Sequence, residues 1–157
     1  MKKSIPEGFH SVTPVFVVKD ARKAIEFYKH AFGAEELFVM PGPNGKGVMH
    51  AEVKIGNSIL MMGEENPQEP CKSAETMGGS PVSFYMYVEN ADEAFRKALA
   101  AGAEIRMSVE DMFWGDRAGT VLDPFGYSWT LATHIKDPTP EEIQEGAKAF
   151  FAKMTRK

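Results

Sequence analysis

The chain has 157 residues, of which 43% are apolar and 25% charged, with a formal net charge of −4. That length accommodates one domain burying about two-thirds of its unfolded surface, and an acidic balance with no basic surplus excludes nucleic acid as an expected partner. A lone cysteine, Cys71, rules out an internal disulfide and suits a reducing cytoplasm, and no run approaches the roughly 18 apolar residues of a membrane span.

From the N-terminus, Lys2, Lys3, Pro6 and Glu7 lack the apolar core of a signal peptide. Val12 to Val18 is rich in β-branched residues and predicts a strand. Asp20 then serves as an N-cap, and Ala24, Ile25, Tyr28 and Phe32 form the apolar stripe of a helix that stops at Gly33. Strands are expected at about 36–40, 48–55 and 58–63. Residues 64–80, with Asn66, Pro67, Pro70, Gly78 and Gly79, read as a polar connector and the segment expected to be most mobile. Cys71 lies there among Pro70, Lys72 and Ser73 as a plain loop thiol.

The pattern then restarts. Val82 to Val88 predicts a strand, Asn90 with Glu93 a capping box, and Ala94, Phe95, Ala98 and Leu99 the buried stripe of a helix ending at Gly102. Strands follow at about 104–109, 117–122 and 127–133, the last entered through the tight turn Asp123-Pro124-Phe125-Gly126. Thr139-Pro140-Glu141-Glu142 opens a final helix, about 139–155, whose Ile143, Ala147, Phe150, Phe151 and Met154 must cover either the chain's own sheet or a partner subunit.

The two halves repeat one another. Val18-Lys19-Asp20-Ala21-Arg22-Lys23-Ala24-Ile25 recurs as Val88-Glu89-Asn90-Ala91-Asp92-Glu93-Ala94-Phe95, Gly33-Ala34-Glu35 as Gly102-Ala103-Glu104, and Gly56-x-Ser58 as Gly126-x-Ser128. The expected organisation is a single domain over 1–157, with module one at about 10–64, a connector at 65–80 and module two at about 81–134. Each module reads βαβββ.

Paired βαβββ copies resemble the vicinal-oxygen-chelate superfamily of glyoxalases, bleomycin-resistance proteins and dioxygenases, over residues 10–135. Trp114-Gly115-Asp116-Arg117-Ala118-Gly119, Asp123-Pro124-Phe125-Gly126-Tyr127-x-Trp129 and Ala132-Thr133-His134 are similar to its PhnB-like branch. The resemblance implies an α+β fold: a cup-shaped antiparallel or mixed sheet, helices on the outside and an added C-terminal helix. It also implies a cytoplasmic homodimer with a ligand in each cup. Some PhnB-like proteins carry a demethylubiquinone methyltransferase label, but no Gly-rich loop leads from a strand into a helix here. Neither methyl transfer nor a nucleotide cofactor is expected.

In metal-dependent relatives the ligands come from the first and fourth strands of each module. Those positions fall on Thr13, Leu60, Ser83 and Thr130, none of them His, Glu, Asp or Cys, and their neighbours offer no ligand either. No metal and no other cofactor are therefore expected. With these positions taken as inward, strand alternation lines the cup with Thr13, Val15, Val17, Ser58, Leu60, Met62, Ser83, Tyr85, Tyr87, Ser128 and Thr130. The third strand of module one adds His50, Glu52 and Lys54 to one face.

His50 beside Glu52 is the candidate general base. Trp114 is placed to stack on a planar ligand. Arg117 has two readings, clamping a carboxylate or phosphate or ordering the turn with Asp116. The expected ligand-contact set is Thr13, His50, Glu52, Ser83, Tyr85, Trp114, Arg117 and Thr130. His10, His30 and His134 are expected in solvated or structural roles. The leading functional reading is a metal-independent small-molecule-binding protein. The rivals are a lyase or isomerase acting on a small oxygenated metabolite with His50 as base, with or without a non-standard metal site, and a drug-sequestering protein.

Overall fold

The computed structural model describes residues 2–155. Its first module runs β1 (Val15–Val18), α1 (Ala21–Phe32), β2 (Glu35–Pro41), β3 (Val48–Ile55) and β4 (Ser58–Glu64). The connector holds α2 (Ala74–Met77). The second module runs β5 (Phe84–Tyr87), α3 (Ala91–Ala101), β6 (Glu104–Asp111), β7 (Asp116–Leu122) and β8 (Ser128–His134), and α4 (Pro140–Met154) ends the chain. The two sheets have equivalent orders, β1-β4-β3-β2 and β5-β8-β7-β6. In each, the outer strand β1 or β5 runs parallel to its neighbour while the other pairings are antiparallel. This is the α+β fold of paired βαβββ modules with a C-terminal helix.

The helices begin and end where their caps dictate. Asp20 and Asn90 accept from the N–H groups of Lys23 and Glu93, and left-handed Gly33 and Gly102 close the far ends. Glu93 does not return the bond to Asn90, so only half of the expected capping box forms. The first helical N–H finds its acceptor on the inner strand in both modules: Ala21 donates to the Glu64 carboxylate and Ala91 to the Thr133 hydroxyl, at 3.0 and 2.9 Å. Buried residues of α1 and α3 pack on their own sheets and against each other, so the two modules share one core.

An aromatic box joins the halves. Phe32 lies 4.6 Å from Trp129, and Phe16 meets Phe84 at 5.4 Å and Tyr127 at 5.0 Å, ring centre to ring centre. The Tyr28 hydroxyl donates to buried Asp123 at 2.7 Å, and the Tyr127 hydroxyl to the Val17 carbonyl at 2.6 Å. Asp123 also accepts from the Trp129 indole and from the backbone of Phe125 and Tyr127. The tight turn is thus a cross-module rivet as well as a hairpin.

Two expectations change. The connector is anchored: Ser73 is fully buried and caps α2, its N–H donates to Glu65 at 2.7 Å, and Ala74 lies against Gly126 so closely that a Cβ there would sit 2.9 Å away. The face assigned to the fourth strand of module one is also reversed. Val15 pairs with Met61 and Phe16 with Met62, whereas Tyr85 pairs with Thr130. Leu60 and Met62 therefore lie under the helices, and Met61, with Ile59, shares the open face with Val15. The β3–β4 turn has two residues and the β7–β8 turn five, so the Gly56/Gly126 match aligned turn chemistry rather than strand register. A one-residue slip moves every side chain to the other face.

Candidate functional site

On the second sheet, the face turned away from the helices is built by cross-strand register. Tyr85 and Tyr87 of β5 lie beside Thr130 and Ala132 of β8, which face Thr120 and Ala118 of β7. The same alternation carries on to Asp116 and His134, directly opposite each other at the ends of β7 and β8. Asp116, only 2% exposed, is the hub. Its Oδ2 accepts from the Tyr85 and Tyr87 hydroxyls at 2.7 and 3.0 Å, and its Oδ1 meets His134 Nδ1 at 2.8 Å. The Trp114 indole donates to the Tyr85 oxygen at 3.1 Å.

Electrostatics follow from the geometry. Burial pushes the Asp116 carboxyl up, but the bonds from Tyr85, His134 and Tyr87 outweigh it and hold the group below the ordinary carboxylate range. Burial, and then the bond to the anionic hub, push Tyr85 up to about 12. The bond to Asp116, then that to Asp137 at 3.0 Å from Nε2, raise the His134 imidazole above its usual value. With a carboxylate facing each ring nitrogen, the imidazolium satisfies both sides.

The loop that presents Trp114 is fixed from behind. Gly115 takes φ of 101°, its carbonyl accepts from Ile135 and Lys136, and the backbone of Lys136 approaches too closely for any Cβ. A cavity of about 960 Å³ opens at the seam between modules along the unpaired edge of β5. Its walls include Phe32 and Ser58 from module one and Tyr85, Tyr87 and His134 from module two.

The expected contact set divides. Tyr85 and Trp114 belong to this cluster, and Thr130 lies next to it, its hydroxyl 2.8 Å from that of Thr120. His50 and Glu52 face each other at 3.1 Å on the open face of the first sheet, with Phe38 6.3 Å from the imidazole, and neither lines the cavity. Thr13 and Ser83 precede β1 and β5. Arg117 points to the opposite face of its strand from Asp116, with Nε and Nη2 forked on Asp92 at 2.7 and 2.9 Å and Nη1 on Asp111 at 2.9 Å. Its guanidinium fastens the start of α3 to the sheet, and its partners are Asp92 and Asp111 rather than the expected Asp116.

His134, read from the sequence as making a structural hydrogen bond, makes two, to Asp116 and Asp137, and with Asp116 it belongs to the cluster. The signal was present. His134 continues the alternation of Ser128, Thr130 and Ala132, but Asp116 opposite it is visible only once β7 and β8 are paired.

The metal positions, corrected for register, are Thr13, Met61, Ser83 and Thr130. Hydroxyls and a thioether do not replace the hydration of a divalent ion, so these residues do not fit the metal of the family. Among the described residues, no three His, Cys, Asp or Glu side chains gather in a metal-holding group, and no helix is long and apolar enough to cross a membrane.

The Glyoxalase/Bleomycin resistance protein/Dioxygenase superfamily model matches residues 8–131. An uncharacterized protein of Mycobacterium bovis is 39% identical over 137 residues, covering 85% of this chain and 90% of the relative. Protein YjdN of Escherichia coli is 30% identical over 135 residues, covering 74% and 89%. Among solved structures, a gene product of Arabidopsis thaliana superposes with a TM-score of 0.65 at 28% identity, covering 79% of this chain and 98% of its own. TioX from Micromonospora sp. ML1 gives 0.62 at 25%, covering 83% and 100%.

Proposed function

The chain belongs to the Glyoxalase/Bleomycin resistance protein/Dioxygenase superfamily, and from that premise we propose that it binds a small organic molecule without a metal, on the open face of its second sheet. The observation that carries this reading is the cluster of Tyr85, Tyr87, Trp114 and His134 around buried Asp116, beside a cavity of about 960 Å³. Exposed aromatic rings whose polar ends are pinned from beneath form a rigid, mostly apolar wall with a few fixed polar atoms, the usual chemistry of a small-molecule site. The donor set at the family's metal positions supports metal independence.

The chain acts as a homodimer in this reading. Each sheet has two edge strands, β1 and β2 in the first and β5 and β6 in the second, each with one side open, and Val15 and Tyr87 stand 69% and 63% exposed on β1 and β5. Strand edges of this kind pair readily with another chain. The open face of the first sheet, with Phe38, Met40, His50 and Glu52, then covers a site on the partner.

Thermal melts of metal-stripped protein test the proposal, with and without Ni, Co, Zn, Mn and Fe(II), followed by a panel of small organic molecules read by the Trp114 indole resonance. No metal shift and a saturable organic response are expected. Metal at about a hundred times its dissociation constant stabilises a protein by ~2.7 kcal/mol, a rise of roughly 5–10 °C for a chain this size. A rise of that order with near-stoichiometric metal overturns the reading.

One observation favours an enzymatic reading, a lyase or isomerase, with a different base from the one expected. A buried carboxylate on Nδ1 orients His134 for proton transfer through Nε2 once exposed Asp137 swings aside, whereas His50 rests on a half-buried Glu52. His134→Gln removing all turnover of a confirmed substrate, with His50→Gln leaving it intact, is the expected outcome of that reading.

A further inference from the structure

Donor and acceptor counting around Asp116 goes beyond the existence of a site to the class of molecule it takes, and rests on the binding reading above. The Tyr85 and Tyr87 hydroxyl protons and the His134 Nδ1 proton all point inward to Asp116. The Trp114 indole proton is used on the Tyr85 oxygen. What remains outward is acceptors: two lone pairs on Tyr87, one on Tyr85, and the carboxylate of Asp137, whose side chain is 98% exposed and free to swing away from His134. The neighbouring Thr120–Thr130 pair keeps a single spare O–H.

The charges agree. Asp116 and Asp137 flank the one imidazole; Arg117, next to Asp116 in sequence, is held on the other face by Asp92 and Asp111, and Lys136, next to Asp137, lines a separate pocket beside α4. Glu89 and Lys97 on the cavity wall carry opposite signs. The Tyr85 and Tyr87 rings lie 5.4 Å apart at 57° and are both half open, so their faces are available to a cation.

We propose that the pocket selects a planar organic cation rich in N–H groups, such as an amidinium, guanidinium or protonated aromatic amine, which donates to Tyr87, Tyr85 and Asp137 while lying against the tyrosine rings. A carboxylate or phosphate finds as free donors only the imidazolium and the one spare threonine O–H, and meets two carboxylates around the imidazolium.

Three probes of nearly one shape and different charge test this: benzamidine, benzamide and benzoate, titrated into the full chain. The readout is the indole N–H resonance of Trp114, and that of Trp129, held on Asp123 but also on the cavity wall, reports the fold of each protein before any probe is added. Benzamidine is expected to move Trp114 saturably and to bind about tenfold more tightly than benzamide, with benzoate weakest. Tyr87→Phe, which removes the freest acceptor but keeps the ring, is expected to lower benzamidine affinity several-fold and leave benzamide nearly unchanged. Its unmoved Trp129 resonance shows the variant folded.

Benzamide or benzoate binding as tightly as benzamidine overturns the cationic class while leaving the site standing. A Trp114 resonance unmoved by all three probes also overturns the class. If it stays unmoved across the organic panel, the site itself falls.

Discussion

Asp123 and Asp116 are both almost fully buried carboxylates, yet their neighbours give them different tasks. Around Asp123 every donor comes from the fold: the Tyr28 hydroxyl, the Trp129 indole and two backbone N–H groups. Burial raises its carboxyl above the ordinary range despite these bonds. Asp123→Asn turns an amide toward those donors and leaves at least one unpaired, an expected loss of about 3 kcal/mol or a drop in Tm of roughly 6–12 °C. Tyr28→Phe, which removes one bond, is expected to cost about 1–2 kcal/mol in the same denaturation measurement. Around Asp116 the donors are half-exposed groups of the proposed site, and there the pH dependence is informative. The folded state raises the His134 imidazole above its unfolded value, so its stabilisation is complete below the unfolded pKa and is lost as pH rises through the raised one. His134→Gln is therefore expected to destabilise the protein most in mildly acidic buffer. The wild-type advantage then narrows at alkaline pH, as read by guanidinium denaturation at each pH.

At the scale of elements, α4 stands apart from the rest. Its start is fully specified, with Thr139 and Glu142 forming a reciprocal capping box and Pro140 in the first turn. None of its residues is buried, and Phe151 and Met154 stay exposed. It touches the chain mainly where Phe150 meets Phe113 at 5.7 Å and where Gly146 approaches Phe113 so closely that no Cβ fits. Of the two covers the sequence allowed for this helix, its own sheet is not the one it takes. Ending the chain after Asp137 is therefore expected to leave the Tm of the remainder within a few degrees in thermal melts, because removing exposed residues exposes little core. Gly146→Ala, favourable by helix propensity alone by up to about 1 kcal/mol, is expected instead to lift the helix and speed proteolysis at the Pro138–Thr139 junction.

At the scale of the whole molecule, the proposed homodimer rests on the open sides of edge strands β1 and β5. Light scattering on the full chain is expected to give about 35 kDa, twice the 17.4 kDa of one copy. Val15→Lys, placed on an edge strand at a 69% exposed position, is expected to shift that mass to the monomer while the far-UV spectrum stays the same. A monomeric mass for the unaltered chain overturns the dimer.

The sequence by itself determined the two βαβββ modules, the helix caps, the glycine stops and the unfitness of the metal positions. These are local matters: propensity, periodicity and the side chain present at a site. Even the one-residue slip that exchanged Leu60 for Met61 brought no His, Asp, Glu or Cys to the metal positions. Register, and with it which side chains gather around Asp116, was decided only by tertiary structure. Turns of two and five residues carry the same glycine signal yet set different pairings, which a single strand does not reveal. Asp116 and His134 lie 18 residues apart and become partners only across a hairpin. The anchoring of the connector likewise depends on Ala74 meeting Gly126, 52 residues away, a contact no local pattern encodes because it exists only when both modules are folded on one core.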